Sequence, residues 1–110
     1  LSRYNLLTPR SVVFLWNKIY SLVPKERLFG MLATGGKSGT IRNWYNGDGD
    51  KPYIFGKTGT LRHNHCLSGY LVSKSGQTLI FSFMNNNFTV PQNDIRRNMQ
   101  TILNLIYENY

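Results

Sequence analysis

A chain of 110 residues with 41% hydrophobic content suffices for one small domain with one core and leaves no room for a second domain within it. Thirteen Lys and Arg against five Asp and Glu give a net charge of +8, which points to an anionic partner such as nucleic acid, an anionic polymer or a membrane surface. The single cysteine, Cys66, excludes an internal disulfide framework and a cysteine-based metal cluster, and no apolar run reaches the length of a membrane span.

Thr8-Pro9 reads as an N-cap followed by a first-turn proline, and Val12, Leu15, Trp16, Ile19, Tyr20 and Val23 recur at helical spacing until Pro24, which predicts an amphipathic helix. Residues 30–49 hold six of the ten glycines, together with Trp44 and Tyr45, and show no sustained period, so an irregular, partly exposed loop is expected there. Three runs then read as strands. Residues 53–62, 66–72 and 78–84 are rich in aromatic and β-branched side chains, and the links His63-Asn64-His65 and 73–77 are short enough for antiparallel hairpins. Asn85-Asn86-Asn87 ends the last run. After Pro91 and Asn93, the residues Ile95, Met99, Ile102, Leu103, Ile106, Tyr107 and Tyr110 define a second amphipathic helix.

The expected fold is α+β: an antiparallel three-stranded meander flanked by an N-terminal and a C-terminal helix, with both helices packed on one sheet face. The strand at 53–62 has one sequential hairpin neighbour, so its other edge needs a cover that these elements do not supply.

The residues with the clearest chemistry lie on that strand. Lys57-Thr58-Gly59-Thr60 combines a point charge, two hydroxyls on the same side of the strand and a residue without a side chain, a set able to hold a carboxylate while another segment approaches closely. The competing reading is a lysine and two threonines on an exposed strand. Context favours the site, because the tetrad enters a strand that is followed by two antiparallel partners and a closing helix.

Other candidate chemistry fails on spacing or ligand count. Gly36-Lys37-Ser38 and Gly56-Lys57-Thr58 carry the last letters of a phosphate-binding loop, but Met31 and Lys51 stand where its first glycine belongs and no helical pattern follows. His63, His65 and Cys66 are close together yet fall short of the four ligands of a closed zinc site, so polar side chains at a hairpin tip are the better reading and no metal is expected. Asp48 and Asp50 lack the bidentate Glu and spacing of a calcium loop and read as turn formers. Trp44, Tyr45 and Tyr53 beside Arg42 and Lys51 could offer a stacking surface for single-stranded nucleic acid, although most aromatics of a small domain belong to its core. The basic residues are scattered from Arg3 to Arg97, with no run longer than Arg96-Arg97, as on a solvated surface rather than a phosphate-tracking stripe.

With these segments in this order, the chain resembles the C-terminal part of the low-molecular-mass penicillin-binding proteins of the D-alanyl-D-alanine carboxypeptidase and endopeptidase type, over essentially all 110 residues. Leu1-Ser2-Arg3-Tyr4-Asn5-Leu6-Leu7-Thr8-Pro9 resembles the family's lead into a helix. Gly39-Thr40-Ile41-Arg42 resembles its Gly-Thr-Leu loop, and Lys57-Thr58-Gly59-Thr60-Leu61 with Leu67-Ser68-Gly69-Tyr70 resembles its active-site strand and the next one.

The resemblance implies a penicillin-binding or serine β-lactamase-like transpeptidase fold, with residues 1–110 as its C-terminal portion. It implies a serine hydrolase acting on peptidoglycan stem peptides and reacting with β-lactams, without a cofactor, periplasmic or otherwise exported, and with no nucleic acid partner. Lys57, Thr58 and Thr60 inherit the binding of the substrate's terminal carboxylate. The Thr60 N–H inherits one place in the oxyanion hole, which makes Lys57 and Thr60 the catalytic candidates, and Gly59 lets the nucleophile-bearing segment pack close. The family's Ser-x-x-Lys and Ser-x-Asn motifs do not occur in the sequence; Ser2 to Asn5 is one residue too wide. They are therefore expected upstream of Leu1 or on another chain, together with any export signal and the strands that would cover the open edge, and the 110-residue chain alone is expected to be inactive. A serine β-lactamase and a small basic nucleic-acid or anionic-polymer module are the alternatives. Slow release of a bound penicillin separates the first from a carboxypeptidase, and a steep loss of oligonucleotide binding with salt would mark the second.

Overall fold

In the computed structural model, which describes residues 6–110, the first helix begins where the sequence signals place it. Thr8 Oγ1 accepts a hydrogen bond from the Ser11 N–H at 3.1 Å, and Pro9 occupies the first turn of α1 (Pro9–Leu22). The first five residues of the lead segment that resembles the penicillin-binding family lie outside the described residues. Pro24 stands at the start of a helix that the sequence reading missed, α2 (Lys25–Met31). It buries Leu28 and stacks Phe29 on Phe55, with ring centroids 4.2 Å apart.

The expected irregular loop at 30–49 is only partly irregular. It begins inside α2, then forms a two-residue strand, β1 (Ala33–Thr34), and a 3-10 turn (Gly39–Ile41), and it anchors itself in the core through Ile41 and Tyr45. The remaining strands are β2 (Ile54–Leu61), β3 (Asn64–Val72) and β4 (Thr78–Asn86), and α3 (Gln92–Asn109) closes the chain. The sheet therefore has four strands rather than three, all antiparallel, in the order β1-β2-β3-β4. Two residues are too few to show a period, which hid β1. The β2–β3 hairpin is also tighter than expected, because Asn64 and His65 belong to β3 and the turn is made by Arg62 and His63, the latter at φ 60°.

The two long helices cover opposite faces of the sheet, which corrects the expectation that they share one. Successive side chains of a strand alternate between faces, and β3 is apolar on both. Leu67 and Leu71 join Tyr53, Ile54, Ile41 and Tyr45 against Met99, Leu103 and Tyr107 of α3. Ser68 and Tyr70 face α1: the Trp16 indole N–H donates to Ser68 Oγ at 2.9 Å, and the Tyr70 hydroxyl donates to the Trp16 carbonyl at 2.6 Å. Leu103 is 1% exposed at the centre of the larger core. Leu103→Ala is expected to cost roughly 3 kcal/mol of stability, read as a lowered denaturation midpoint. Among the described residues no helix is long and apolar enough to cross a membrane.

Candidate active site on the β2 edge

The pleat of β2 divides the tetrad between the faces. Thr58 and Thr60 point to the α3 side, opposite Leu67 and His65 of β3, whereas Lys57 and Gly59 point to the α1 side, opposite Ser68 and Cys66. Lys57, Gly59 and Thr60 are exposed and Thr58 is half-buried.

Backbone direction alternates in the same way. The Tyr53 carbonyl accepts from Val72 N–H in β3, and the Ile54 carbonyl accepts from Gly35 N–H next to β1, so even-numbered residues of β2 direct their N–H and C=O groups away from β3. β1 pairs only with Phe55 and Gly56, and among the described residues nothing pairs with 57–61 on that side. The Thr58 carbonyl is taken by the Lys57 ammonium, which donates to it at 2.5 Å. The Thr60 N–H is left facing outward on an open edge. The expected cover of this strand is thus present for its first half, supplied by β1 from within the 30–49 segment, and absent among the described residues for the half that carries the tetrad.

The 3-10 turn brings a further hydroxyl to the strand. Gly39 has φ 69°, and a Cβ there would lie 2.6 Å from the Ala33 Cβ, so this turn against β1 requires glycine. Buried Ile41 fixes its other end, and Thr40 Oγ1 then sits 2.7 Å from Thr58 Oγ1. Between the turn and the edge runs a shallow groove of about 300 Å³ lined by Met31, Leu32, Ala33, Ser38, Gly39, Thr40, Gly56 and Lys57. A Cβ at Gly59 would meet no described atom within 4 Å, so no described contact demands glycine there.

Beneath Thr60 lies a residue that the sequence reading weighed only as a hairpin-tip side chain or metal ligand. His65, 2% exposed, places Nδ1 2.8 Å from Thr60 Oγ1. Burial, and then the Arg96 guanidinium, hold its pKa below the ordinary histidine value. The signal that could have found it is register: a two-residue turn after Leu61 makes Thr60 and His65 cross-strand neighbours.

The other candidates do not converge. His65 and Cys66 project to opposite faces of β3, and burial raises the Cys66 thiol pKa, while His63 sits on the turn with its ring edge-on to Phe88 at 6.4 Å. Among the described residues no three His, Cys, Asp or Glu side chains come together. Gly36-Lys37-Ser38 forms a tight turn closed by Ser38 N–H on the Thr34 carbonyl at 3.0 Å, and Gly56-Lys57-Thr58 is strand, so neither meets a helix N-terminus suited to phosphate. Asp48 accepts the Lys51 N–H through its carbonyl at 3.3 Å, the turn geometry expected of it. Tyr45 and Tyr53 are core residues, with the Tyr45 hydroxyl pushed up to about 12 by burial, and Trp44 lies under the Arg96 guanidinium, 5.6 Å from its ring centroid.

A helix-covered antiparallel sheet of this form is shared by solved penicillin-binding proteins. The chain is similar to penicillin-binding protein 4 of Haemophilus influenzae in complex with a β-lactam, at a TM-score of 0.86 and 20% identity over 98% of this chain and 27% of that one. It is likewise similar to a second structure described as penicillin-binding protein 4 of Haemophilus influenzae, at a TM-score of 0.82 and 22% identity over 97% of this chain and 26% of that one. Its fold is therefore that of a region of a penicillin-binding protein, spanning about a quarter of those chains. The sequence matches the D-Ala-D-Ala carboxypeptidase 3 (S13) family over residues 1–107, and the chain belongs to that family. No curated protein matches it in sequence.

Proposed function

We propose that this chain is the C-terminal part of an exported serine D-Ala-D-Ala carboxypeptidase or endopeptidase, and that it supplies the strand on which a peptidoglycan stem peptide is held. The observation that carries this reading is the open half-edge of β2, with the Lys57 ammonium, the Thr58 and Thr60 hydroxyls and the outward Thr60 N–H along one stretch. Lys57 supplies charge for the terminal carboxylate, and the two hydroxyls supply directed donors to it. The Thr60 N–H meets the oxygen on which negative charge develops, and such a donor lowers the barrier by roughly 3 kcal/mol.

Chemistry proceeds through an acyl-enzyme. A serine elsewhere in the complete protein attacks the penultimate D-alanyl carbonyl, the peptide bond breaks, and the terminal D-alanine leaves carrying the serine's proton. Water then attacks the ester, releasing the trimmed peptide and restoring the serine. The substrate's own tail fixes the reacting carbonyl relative to Thr60, so binding and catalysis use the same strand.

A fluorescent penicillin tests the reading. The complete protein should be acylated and release the label slowly, and the 110-residue chain alone should remain unlabelled. In the complete protein, Thr60→Val should slow acylation about tenfold, because an oriented donor is lost, and should lower the unfolding temperature modestly, because the buried His65 Nδ1 loses its partner. Acylation of the isolated chain, or an unaltered rate in the Thr60 variant, would remove the strand from the mechanism. Rapid hydrolytic release would instead mark a β-lactamase.

A further inference from the structure

A threonine hydroxyl has one hydrogen to give, and a carboxylate can only accept. Thr60 Oγ1 lies 2.8 Å from His65 Nδ1, so its hydrogen goes either to the imidazole or to the ligand, depending on which ring nitrogen is protonated. Were Nδ1 bare, the hydroxyl would point into the protein and present only lone pairs to an anion.

The surroundings of His65 favour the opposite arrangement. From α3, the Arg96 guanidinium acts on the ring as a neighbouring positive charge; it lies over Trp44, and its Nε is buried with no hydrogen-bond partner among the described residues. Burial and that charge disfavour the imidazolium, and because no acceptor among the described residues meets Nε2 whereas Thr60 Oγ1 lies at Nδ1, the ring's one hydrogen belongs on Nδ1. From β4, Asn85 donates its side-chain amide to the His65 carbonyl at 3.3 Å and so holds the backbone without occupying the ring. From β2, Thr60 is the cross-strand partner.

We infer that His65 is a positioning residue: its Nδ1–H donates to Thr60 Oγ1, so that the Thr60 hydroxyl hydrogen is turned outward as a donor to the ligand's carboxylate. This inference rests on the carboxylate-binding role given to Thr60 above. It adds a residue remote from the ligand that determines whether the hydroxyl offers a hydrogen or a lone pair.

The test compares a penicillin with its methyl ester, in which the carboxylate is masked, as acylating agents of the complete protein. His65→Phe should slow acylation by the acid about tenfold and change that by the ester less than twofold, since one oriented hydrogen bond to a charged group is lost. His65→Asn, whose amide can donate from the same place, should recover most of the rate. In a Thr60→Val background, His65→Phe should have no further effect, because the hydroxyl it orients is gone.

Equal losses on acid and ester, or additive losses in the double variant, would overturn the inference and leave His65 a packing residue. A Thr60→Val variant that acylates normally would instead bring down the underlying site reading, a result distinguishable from Thr60 sensitivity without His65 sensitivity. If His65→Phe does not fold, the ring-nitrogen NMR shifts of His65 in the wild-type protein decide: a protonated Nδ1 with a bare Nε2 supports the inference, and the reverse tautomer overturns it.

Discussion

Lys57→Ala in the complete protein is expected to slow acylation by penicillin by about two orders of magnitude, with almost no change in the unfolding temperature. The two halves of this expectation have separate grounds. Lys57 is exposed, and among the described residues its ammonium bonds only the carbonyl of the next residue, an interaction that water can replace, so folding loses little. Its charge sits on the unpaired half of β2, where the proposed carboxylate would dock, and removing it takes away a charge-assisted contact that water does not replace once a ligand fills the edge. Acylation kinetics alongside a thermal melt separates the two halves. A variant that melts early and acylates at the wild-type rate would invert the assignment and make Lys57 a structural residue.

Gly69→Ala should have the largest effect on stability, roughly 3 to 5 kcal/mol, and should impair acylation as a consequence. Gly69 has φ 149°, a conformation that side-chain-bearing residues avoid. A Cβ there would collide with the Phe55 carbonyl oxygen and lie 2.7 Å from the Gly56 Cα, and both obstacles are backbone, which cannot rotate away. Gly56 is its cross-strand partner and is equally constrained, since a Cβ at Gly56 would lie 2.6 Å from the Ser68 carbonyl oxygen. The two glycines let β2 and β3 close up immediately before Lys57, so the added methyl must push β2 outward at the point where the tetrad begins. A lowered urea midpoint together with reduced labelling by fluorescent penicillin is the expected pair of results. A stable variant that has lost only labelling would show that the strand shifted without cost to the fold.

Much of this was legible in the chain because period and punctuation were clear. Thr8-Pro9 marked the start of α1, and the apolar stripe from Ile95 to Tyr107 marked α3. The three longer strands announced themselves by aromatic and β-branched runs. What escaped was short or depended on pairing. α2 is seven residues long and β1 two, lengths at which no period can be counted. The opposite placement of the helices follows from β3 being apolar on both faces, Leu67 and Leu71 on one and Tyr70 on the other, a pattern visible only once the strand's boundaries are known.

The site divides in the same way. Lys57, Thr58, Gly59 and Thr60 stand out from residue type and order, and Thr40 from its resemblance to a loop of the same family. His65 did not, because its meeting with Thr60 depends on a turn one residue shorter than the one expected. Chemistry carried by contiguous letters is readable from a single sequence, whereas chemistry assembled across a hairpin needs the register.

The brevity of β1 also acts as a ruler. It occupies the strand beside Phe55 and Gly56 and then turns away, leaving the four residues from Thr58 to Leu61 to its far side, about 13 Å of extended backbone at 3.3 Å per residue. For the peptide of the proposed function, β1 is a stop that bars sliding further toward Ile54, so the proposal gauges its last residues against Lys57 whatever its length beyond them.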